Sequence, residues 1–212
     1  MSAEEAQCEV LRPSQVEEMA GLLAATFSAG DPLAVAMGLS FREMAAFVRP
    51  LGSKAAGEGL TIVARNPAGG ELMGVLLVDD FALPPSLELT QLSEKFLPIF
   101  DLLEGLDYEY RATRAVAPGQ CLHLYMLGVD ARFAGRGIAQ RLVQTCLANG
   151  RKKGYQWALT EATGTVSQGI FRKLGFADRF QASYRDYRYQ GHAVFASIPG
   201  HGGTILMDRP LA

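Results

Sequence analysis

Val129-Asp130-Ala131-Arg132-Phe133-Ala134-Gly135-Arg136-Gly137-Ile138-Ala139 joins the clearest strand pattern in the chain to its clearest helix pattern. Upstream, Cys121 to Val129 alternates, with Leu122, Leu124 and Met126 on one face and His123, Tyr125 and Leu127 on the other. Gly128 interrupts the run and marks an expected bulge. Downstream, a helix from Gly137 to Lys153 has a buried stripe of Ile138, Ala139, Leu142, Val143, Cys146 and Leu147. Gly154 is its expected stop. Between strand and helix, Arg132-x-x-Gly135-x-Gly137 puts glycine where the backbone must turn tightly and approach a ligand closely. Backbone N–H groups then converge at a helix N-terminus, a concavity that attracts phosphate, and Arg132 and Arg136 add positive charge. The Gly-Lys-Ser/Thr of a Walker loop is absent, and Gln140 stands where a dinucleotide fingerprint needs its third glycine. The pyrophosphate of coenzyme A is the remaining candidate; a plain turn is the alternative that the residues leave open.

Working outward, Trp157 to Glu161 forms the next strand, so Cys121 to Glu161 is a strand-helix-strand unit requiring a parallel pair. Thr165 and Gln168 form a capping box for a helix ending at Leu174. Phe176 to Tyr189 has strand character, and Thr204 to Met207 is a last short strand. On the N-terminal side, Glu9 to Arg12 is an expected strand. Ser14-Gln15-Val16-Glu17 is a capping box before a stripe of Val16, Met19, Ala20, Leu23 and Phe27. Gly30 to Leu39 is turn-like, and Phe41 to Arg49 is a helix ending before Pro50. Leu60 to Arg65 and Leu72 to Val78 are strands joined by the turn Asn66 to Gly70. Asp79 to Gly119 is an insertion opened by Pro84-Pro85. Its apolar residues from Leu89 to Leu103 predict an amphipathic helix bent at Pro98, serving either packing or as a lid.

The composition bounds the function. The 212 residues are 49% hydrophobic and 20% charged with a net charge of -2, an ordinary globular balance without the basic face that nucleic acid requires. No apolar run is long enough to span a bilayer, and the acidic start MSAEEAQCEV lacks a signal core. The three cysteines, Cys8, Cys121 and Cys146, form no paired framework and no CxxC, which fits a cytoplasmic protein without structural zinc. Cys121 and Cys146 fall on core positions.

The stretch Leu127 to Ala139, followed by a strand and by Phe171-Arg-Lys-Leu-Gly-Phe176, resembles the GNAT superfamily of N-acetyltransferases, whose loop pattern Arg/Gln-x-x-Gly-x-Gly/Ala it matches in full. A narrower resemblance, to arylalkylamine N-acetyltransferases, rests on Gly30-Asp31-Pro32-Leu33, Gly38-Leu39, the insertion and the Thr163-to-Ser167 spacing. The resemblance implies one α/β domain over residues 1–212, of α+β type, with a mixed, mostly antiparallel sheet splayed at the acetyl-CoA site. It implies acetyl transfer from acetyl-CoA to a small primary amine, by direct attack in a ternary complex, with no metal. Acetylation of a protein N-terminus or lysine, and acyl-CoA binding without turnover, are the alternatives. A homodimer is compatible with the superfamily.

The resemblance also assigns the cofactor contacts: Leu127 and Val129 to the pantetheine arm and the thioester oxygen, and Arg132, Ala134, Gly135, Arg136, Gly137, Ile138 and Ala139 to the pyrophosphate. In the insect branch an acidic residue before Pro-Leu is the base; Asp31 stands there, one carbon shorter than glutamate. His123 is the second candidate base, sharing a face with Tyr125 in an expected proton relay. Plain turn and core roles are the alternatives for the two. Many members place a tyrosine acid where this chain has Phe171, which cannot donate a proton but can pack against the cofactor. Ser167 and Thr163 are hydroxyl substitutes in principle, with helix-start hydrogen bonding as the alternative.

Overall fold

A computed structural model describes residues 6–83, 92–200 and 202–211. Its centre is a seven-stranded sheet in the order β1-β2-β3-β4-β5-β7-β6. The strands are β1 (Gln7–Val10), β2 (Ile62–Arg65), β3 (Leu72–Asp80), β4 (Cys121–Val129), β5 (Trp157–Ala162), β6 (Ala177–Ser183) and β7 (Gly203–Pro210). Only β4 and β5 run parallel; the other neighbours are antiparallel. The connection between the parallel pair is helix α5 (Ile138–Lys152), the crossover that the sequence requires. One face of the sheet is covered by α1 (Val16–Gly30), α3 (Phe41–Glu58) and α4 (Leu97–Thr113), the other by α5 and α6 (Thr165–Lys173). A short helix, α2 (Pro32–Ala36), follows α1 directly.

The stripes of α1 and α5 pack as their spacing dictates: Val16, Met19, Ala20 and Leu23 are buried, as are Ile138, Leu142, Val143, Cys146 and Leu147. Three helix boundaries depart from expectation. The expected N-terminal capping box does not form: a 3-10 turn spans Pro13–Gln15, and the Gln15 side-chain oxygen accepts from Arg12 N at 2.8 Å. Helix α3 continues through Pro50 to Glu58, because Leu51, Gly52 and Ala55 beyond the proline are buried. A Cβ at Gly52 would lie 2.0 Å from Met19 Cε, so the α1–α3 contact offsets the local cost of proline. Pro98 causes no bend; it sits in the first turn of α4, where its missing N–H needs no acceptor. Pro84, Pro85 and Leu89 lie outside the described residues.

The bulge is also displaced. Leu77 pairs with Met126 and Val78 with Leu124, which leaves Tyr125 as the extra residue of β4; Gly128 pairs regularly with Val75. The extra residue reverses the alternation. Leu122 and Leu124 belong to the α5 face, whereas Met126 packs with Cys121 on the α1 face and Leu127 packs on the α5 face. Gly128 is required for another reason: a Cβ there would sit 2.7 Å from Thr26 Oγ1 and 2.8 Å from Leu23 Cδ2, where α1 crosses the strand.

Tyr184, Tyr187 and Tyr189 leave the sheet, since β6 ends at Ser183. The last strand is longer than its apolar core suggests and carries the buried Asp208, which accepts from Tyr110 and Arg179.

Candidate active site

Strands β4 and β5 stay paired only from Cys121 to His123 against Trp157 to Leu159. Beyond that, Thr160 Oγ1 donates to Leu124 O at 2.9 Å, a side-chain bond in place of the ladder. The strands then part, helped by the bulge at Tyr125. Leu127, Gly128 and Val129 keep their β3 partners on one edge and line a cavity on the other. The cavity has a volume of about 760 Å³. Phe27, Phe47, Phe96 and Phe100 from α1, α3 and the α4 region form much of its apolar wall. Phe96 and Phe100 stack at 5.6 Å and both meet Phe47, so α4 and the turn before it form part of the cavity wall.

The glycine loop forms one end. Asp130 caps a 3-10 turn over Ala131–Phe133, and Gly135 and Gly137 adopt φ of 75° and 74°. That left-handed conformation turns the chain into α5, whose first-turn N–H groups have no acceptor within the helix. Ala134, Gly135, Gly137, Ile138 and Ala139 all line the cavity. The open β4 edge and these N–H groups match the two halves of an acyl-CoA, an amide-bearing arm and a pyrophosphate.

The two arginines do not follow the backbone inward. Arg132 is held by Asp130 and Glu71, each at 2.6 Å, and these partners raise its pKa further. Its guanidinium braces the loop against the start of β3. The Arg136 guanidinium lies 5.3 Å from the centre of the Phe133 ring.

Asp31 stands on the cavity wall at the α1–α2 junction. Its Oδ1 accepts from Ala34 N at 2.9 Å, which caps α2, and its Oδ2 accepts from Thr163 Oγ1 at 2.6 Å. Capping and polar pairing are thus both real, one on each oxygen. Thr163 is fixed in turn, because Tyr184 donates to its carbonyl at 2.6 Å. Ser167 also lines the cavity, but its hydroxyl serves the start of α6: it donates to Gly164 O at 2.8 Å and accepts from Gly164 N at 3.3 Å. The expected Thr165–Gln168 capping box does not form; Ser167 closes the start of α6, on the backbone of Gly164. Gln168 instead stitches β5 to β7 through Ala162 O and Gly203 O. Phe171 lines the cavity edge-on to Phe176 at 5.1 Å and is 2% exposed.

His123 is buried between two carboxylates. Its Nε2 is 2.7 Å from Glu161 Oε2 and its Nδ1 is 3.1 Å from Asp79 Oδ1. Burial alone would lower its pKa, but Glu161 and Asp79 overcome that and hold it well above the usual histidine value. It is an imidazolium at neutral pH and so holds no free lone pair for a substrate proton. Its ring meets Tyr125 edge-on at 5.0 Å. The Tyr125 phenol is pushed above its ordinary range by burial and by the surrounding carboxylates, so it keeps its proton.

Glu161, Asp79 and Asp107 were not singled out in the sequence. Glu161 lines the cavity, and it is this residue that His123 reaches. Burial works to raise its pKa, but the imidazolium and hydrogen bonds from His123 and Asp107 hold it low. Asp107, on α4, is pushed up to about 8 by burial and by the neighbouring Glu161. The signal was present in Trp157-Ala-Leu-Thr-Glu161-Ala162: a glutamate inside a central, uncharged strand is rarely there without a partner. Cys121 and Cys146 are buried, and burial pushes both thiols up to about 12, away from nucleophilic use.

Residues 53–176 match the model of the acetyltransferase (GNAT) family. The chain belongs to this family. It is thus a GNAT-fold, acetyl-CoA-binding acetyltransferase. Solved GNAT-like structures agree on the fold. The C-terminal condensation domain of Ebony, solved with beta-alanyl-dopamine, superposes with a TM-score of 0.89 at 17% identity, covering 97% of this chain and 99% of that one. Arylalkylamine N-acetyltransferase 2 from Aedes aegypti gives 0.84 at 23% identity, with 99% and 100% covered. The Drosophila melanogaster polyamine N-acetyltransferase gives 0.80 at 21% identity, with 97% and 100% covered. Among the described residues no group of His, Cys, Asp and Glu is arranged to hold a metal ion, and no helix is long and apolar enough to cross a membrane.

Proposed function

We propose that the protein acetylates a small primary amine, arylalkylamines included, by direct attack on the acetyl-CoA thioester within a ternary complex. The observation that carries this reading is the Asp31–Thr163 pair, 2.6 Å apart, set in an aromatic-walled cavity beside the open edge of β4. A cavity closed by Phe47, Phe96 and Phe100 suits a small acceptor better than a peptide chain.

The chemistry follows from the wall. The glycine loop and the first turn of α5 bind the pyrophosphate through N–H groups. The unpaired edge from Leu127 to Val129 offers backbone groups to the pantetheine arm and an N–H donor to the thioester oxygen as it gains negative charge. The acceptor arrives as an ammonium and must lose a proton before its nitrogen attacks. Asp31 Oδ2 takes that proton, directly or through the Thr163 hydroxyl. The new C–N bond forms as the C–S bond breaks, and the nitrogen releases its second proton to solvent. Phe171 has no proton to give, so the sulfur leaves as a thiolate and is protonated by solvent. His123 acts at one remove, as the fixed cation that holds Glu161 ionised.

The test is thiol release from acetyl-CoA across arylalkylamines, alkylamines, diamines and peptide N-termini, with Asp31→Asn alongside. Turnover on small amines that falls in the variant, with CoA affinity kept, is expected. Turnover confined to peptides would reject the acceptor class. CoA binding without acetylation of any amine would identify an acyl-CoA-binding protein instead.

A further inference from the structure

Strand β5 ends at Ala162, whose pairing with Ile205 is the last against β7, and α6 starts at Thr165. Thr163 therefore lies on the short connection between strand and helix, past the ladder that would fix its backbone. Its hydroxyl nonetheless meets Asp31 Oδ2 at 2.6 Å. Tyr184 supplies the hold that the ladder does not. Its hydroxyl donates to Thr163 O at 2.6 Å and lies 3.0 Å from Thr204 Oγ1. Burial pushes the phenol above its ordinary range, so it keeps its proton for the Thr163 carbonyl. The Thr204 hydroxyl then donates to the phenol oxygen.

Tyr184 is 1% exposed and does not line the cavity. A buried hydroxyl costs free energy unless it is paired, and phenylalanine would fill nearly the same volume with no such requirement. Here the donated bond goes to a residue that also holds Asp31. The ring is held as well. It lies 6.0 Å from the ring of the buried Phe195, which stacks on Tyr187 at 5.4 Å. The Tyr187 hydroxyl reaches Asp101 Oδ2 at 2.6 Å and Pro98 O at 3.1 Å, beside Ile99 and Phe100 of the cavity wall. One aromatic stack on the β6–β7 connection thus braces both the Thr163 wall and the α4 wall.

We propose that Tyr184 is a positioning residue of the acetyl transfer: it holds Thr163 where the threonine hydroxyl fixes the Asp31 carboxylate for proton removal from the acceptor amine. Tyr184 acts only through Thr163. This deepens the acetyltransferase reading and rests on it for the role of Asp31. A carboxylate released from Thr163 still caps α2, but it meets the ammonium less often in the reacting geometry. The cost falls on kcat and not on CoA binding, since the glycine loop is untouched.

The experiment is a double-mutant cycle between Tyr184→Phe and Asp31→Asn. It reads kcat for the small amine that the thiol-release panel turns over fastest, and CoA affinity by titration. Phenylalanine keeps the ring beside Phe195 and removes only the hydroxyl. Tyr184→Phe should lower kcat about tenfold, with CoA affinity within about twofold of wild type. Beside Asp31→Asn the same substitution should change the residual kcat by less than about twofold, because the carboxylate it serves is gone. Equal falls in the two backgrounds are what a role in folding alone produces, and they overturn the proposal. Full kcat in Tyr184→Phe, with Asp31→Asn impaired, also overturns it and leaves the base in place. Full kcat in Asp31→Asn rejects the base itself, and turnover of no amine rejects the acetyltransferase reading; the positioning role falls with either. Should Tyr184→Phe fail to fold, Thr204→Val decides, since it removes the hydroxyl that orients the phenol and keeps Tyr184. Its kcat should fall about threefold beside Asp31 and stay level beside Asp31→Asn; equal falls, or none, overturn the proposal.

Discussion

Thr163 Oγ1 donates a 2.6 Å hydrogen bond to Asp31 Oδ2, joining the end of β5 to the junction of α1 and α2 across 132 positions of sequence. The bond fixes an acidic side chain on the cavity wall at the open end of the sheet. It also divides the labour of one carboxylate, since the other oxygen caps α2. Asp31→Asn separates the two jobs. Asparagine keeps the cap and removes the basic oxygen. We expect kcat for a small amine to fall about 100-fold, the scale of a placed general base, with CoA affinity unchanged. Single-turnover kinetics and CoA titration check this; a variant with full kcat would move the base elsewhere.

Gly128 is where α1 and β4 come closest. Gly128→Ala brings a methyl group to within 2.7 Å of Thr26 Oγ1 and 2.8 Å of Leu23 Cδ2. Both elements frame the cavity, so the variant should lose about 1–3 kcal/mol of stability and bind CoA more weakly. Urea unfolding and CoA titration measure the two effects.

Pro50 lies within α3 on its exposed side. Pro50→Ala restores a helical N–H and relieves the clash with the preceding turn. The gain is offset in part by a freer unfolded chain. We expect a net stabilisation of about 1–2 kcal/mol by urea unfolding, with activity unchanged.

The buried carboxyl of Asp107 links stability to pH. Its folded pKa is raised to about 8, so the native state holds a proton that the unfolded chain releases from the ordinary carboxyl range upward. Its contribution to stability therefore declines as pH rises, until about 8, where both states are ionised. His123 acts in the same direction: its raised folded pKa gives stability that is full below the unfolded value of about 6.5 and is lost as pH climbs through the folded value. Asp107→Asn removes the first of these. Its stability relative to wild type should grow between pH 5 and 8 in urea unfolding series; parallel profiles would place no linked proton on Asp107.

Much of this was legible locally. The glycine pair, the bounds of β4 and the stripe of α5 follow from side-chain period and φ preference, which neighbours in sequence determine. The bulge was not legible, because it depends on how β3 registers with β4; the sequence points to Gly128, whereas the extra residue is Tyr125. The same shift places Met126 and Leu127 on faces opposite to those that simple alternation assigns. The end of α3 was missed because a local breaker, Pro50, is overruled by a distant contact between Gly52 and Met19. Within the site, Asp31 and His123 were recognisable as chemistry-bearing residues, but their partners were not. Thr163 and Glu161 come from the far half of the chain, and Asp107 comes from α4.

The sequence by itself determined the family, the glycine loop between β4 and α5 and the order of the strands, since each is written in short-range pattern; it read Gly30 to Leu39 as a turn, where the fold forms α2. Tertiary structure alone decided the charge states and the orientation of the site. It turned Arg132 outward onto Glu71 and Asp130, enclosed His123 between Glu161 and Asp79, and set Asp31 against Thr163. The physical reason is that a side chain's chemistry depends on its dielectric surroundings and nearest charges, and the fold assembles these from segments far apart in the chain.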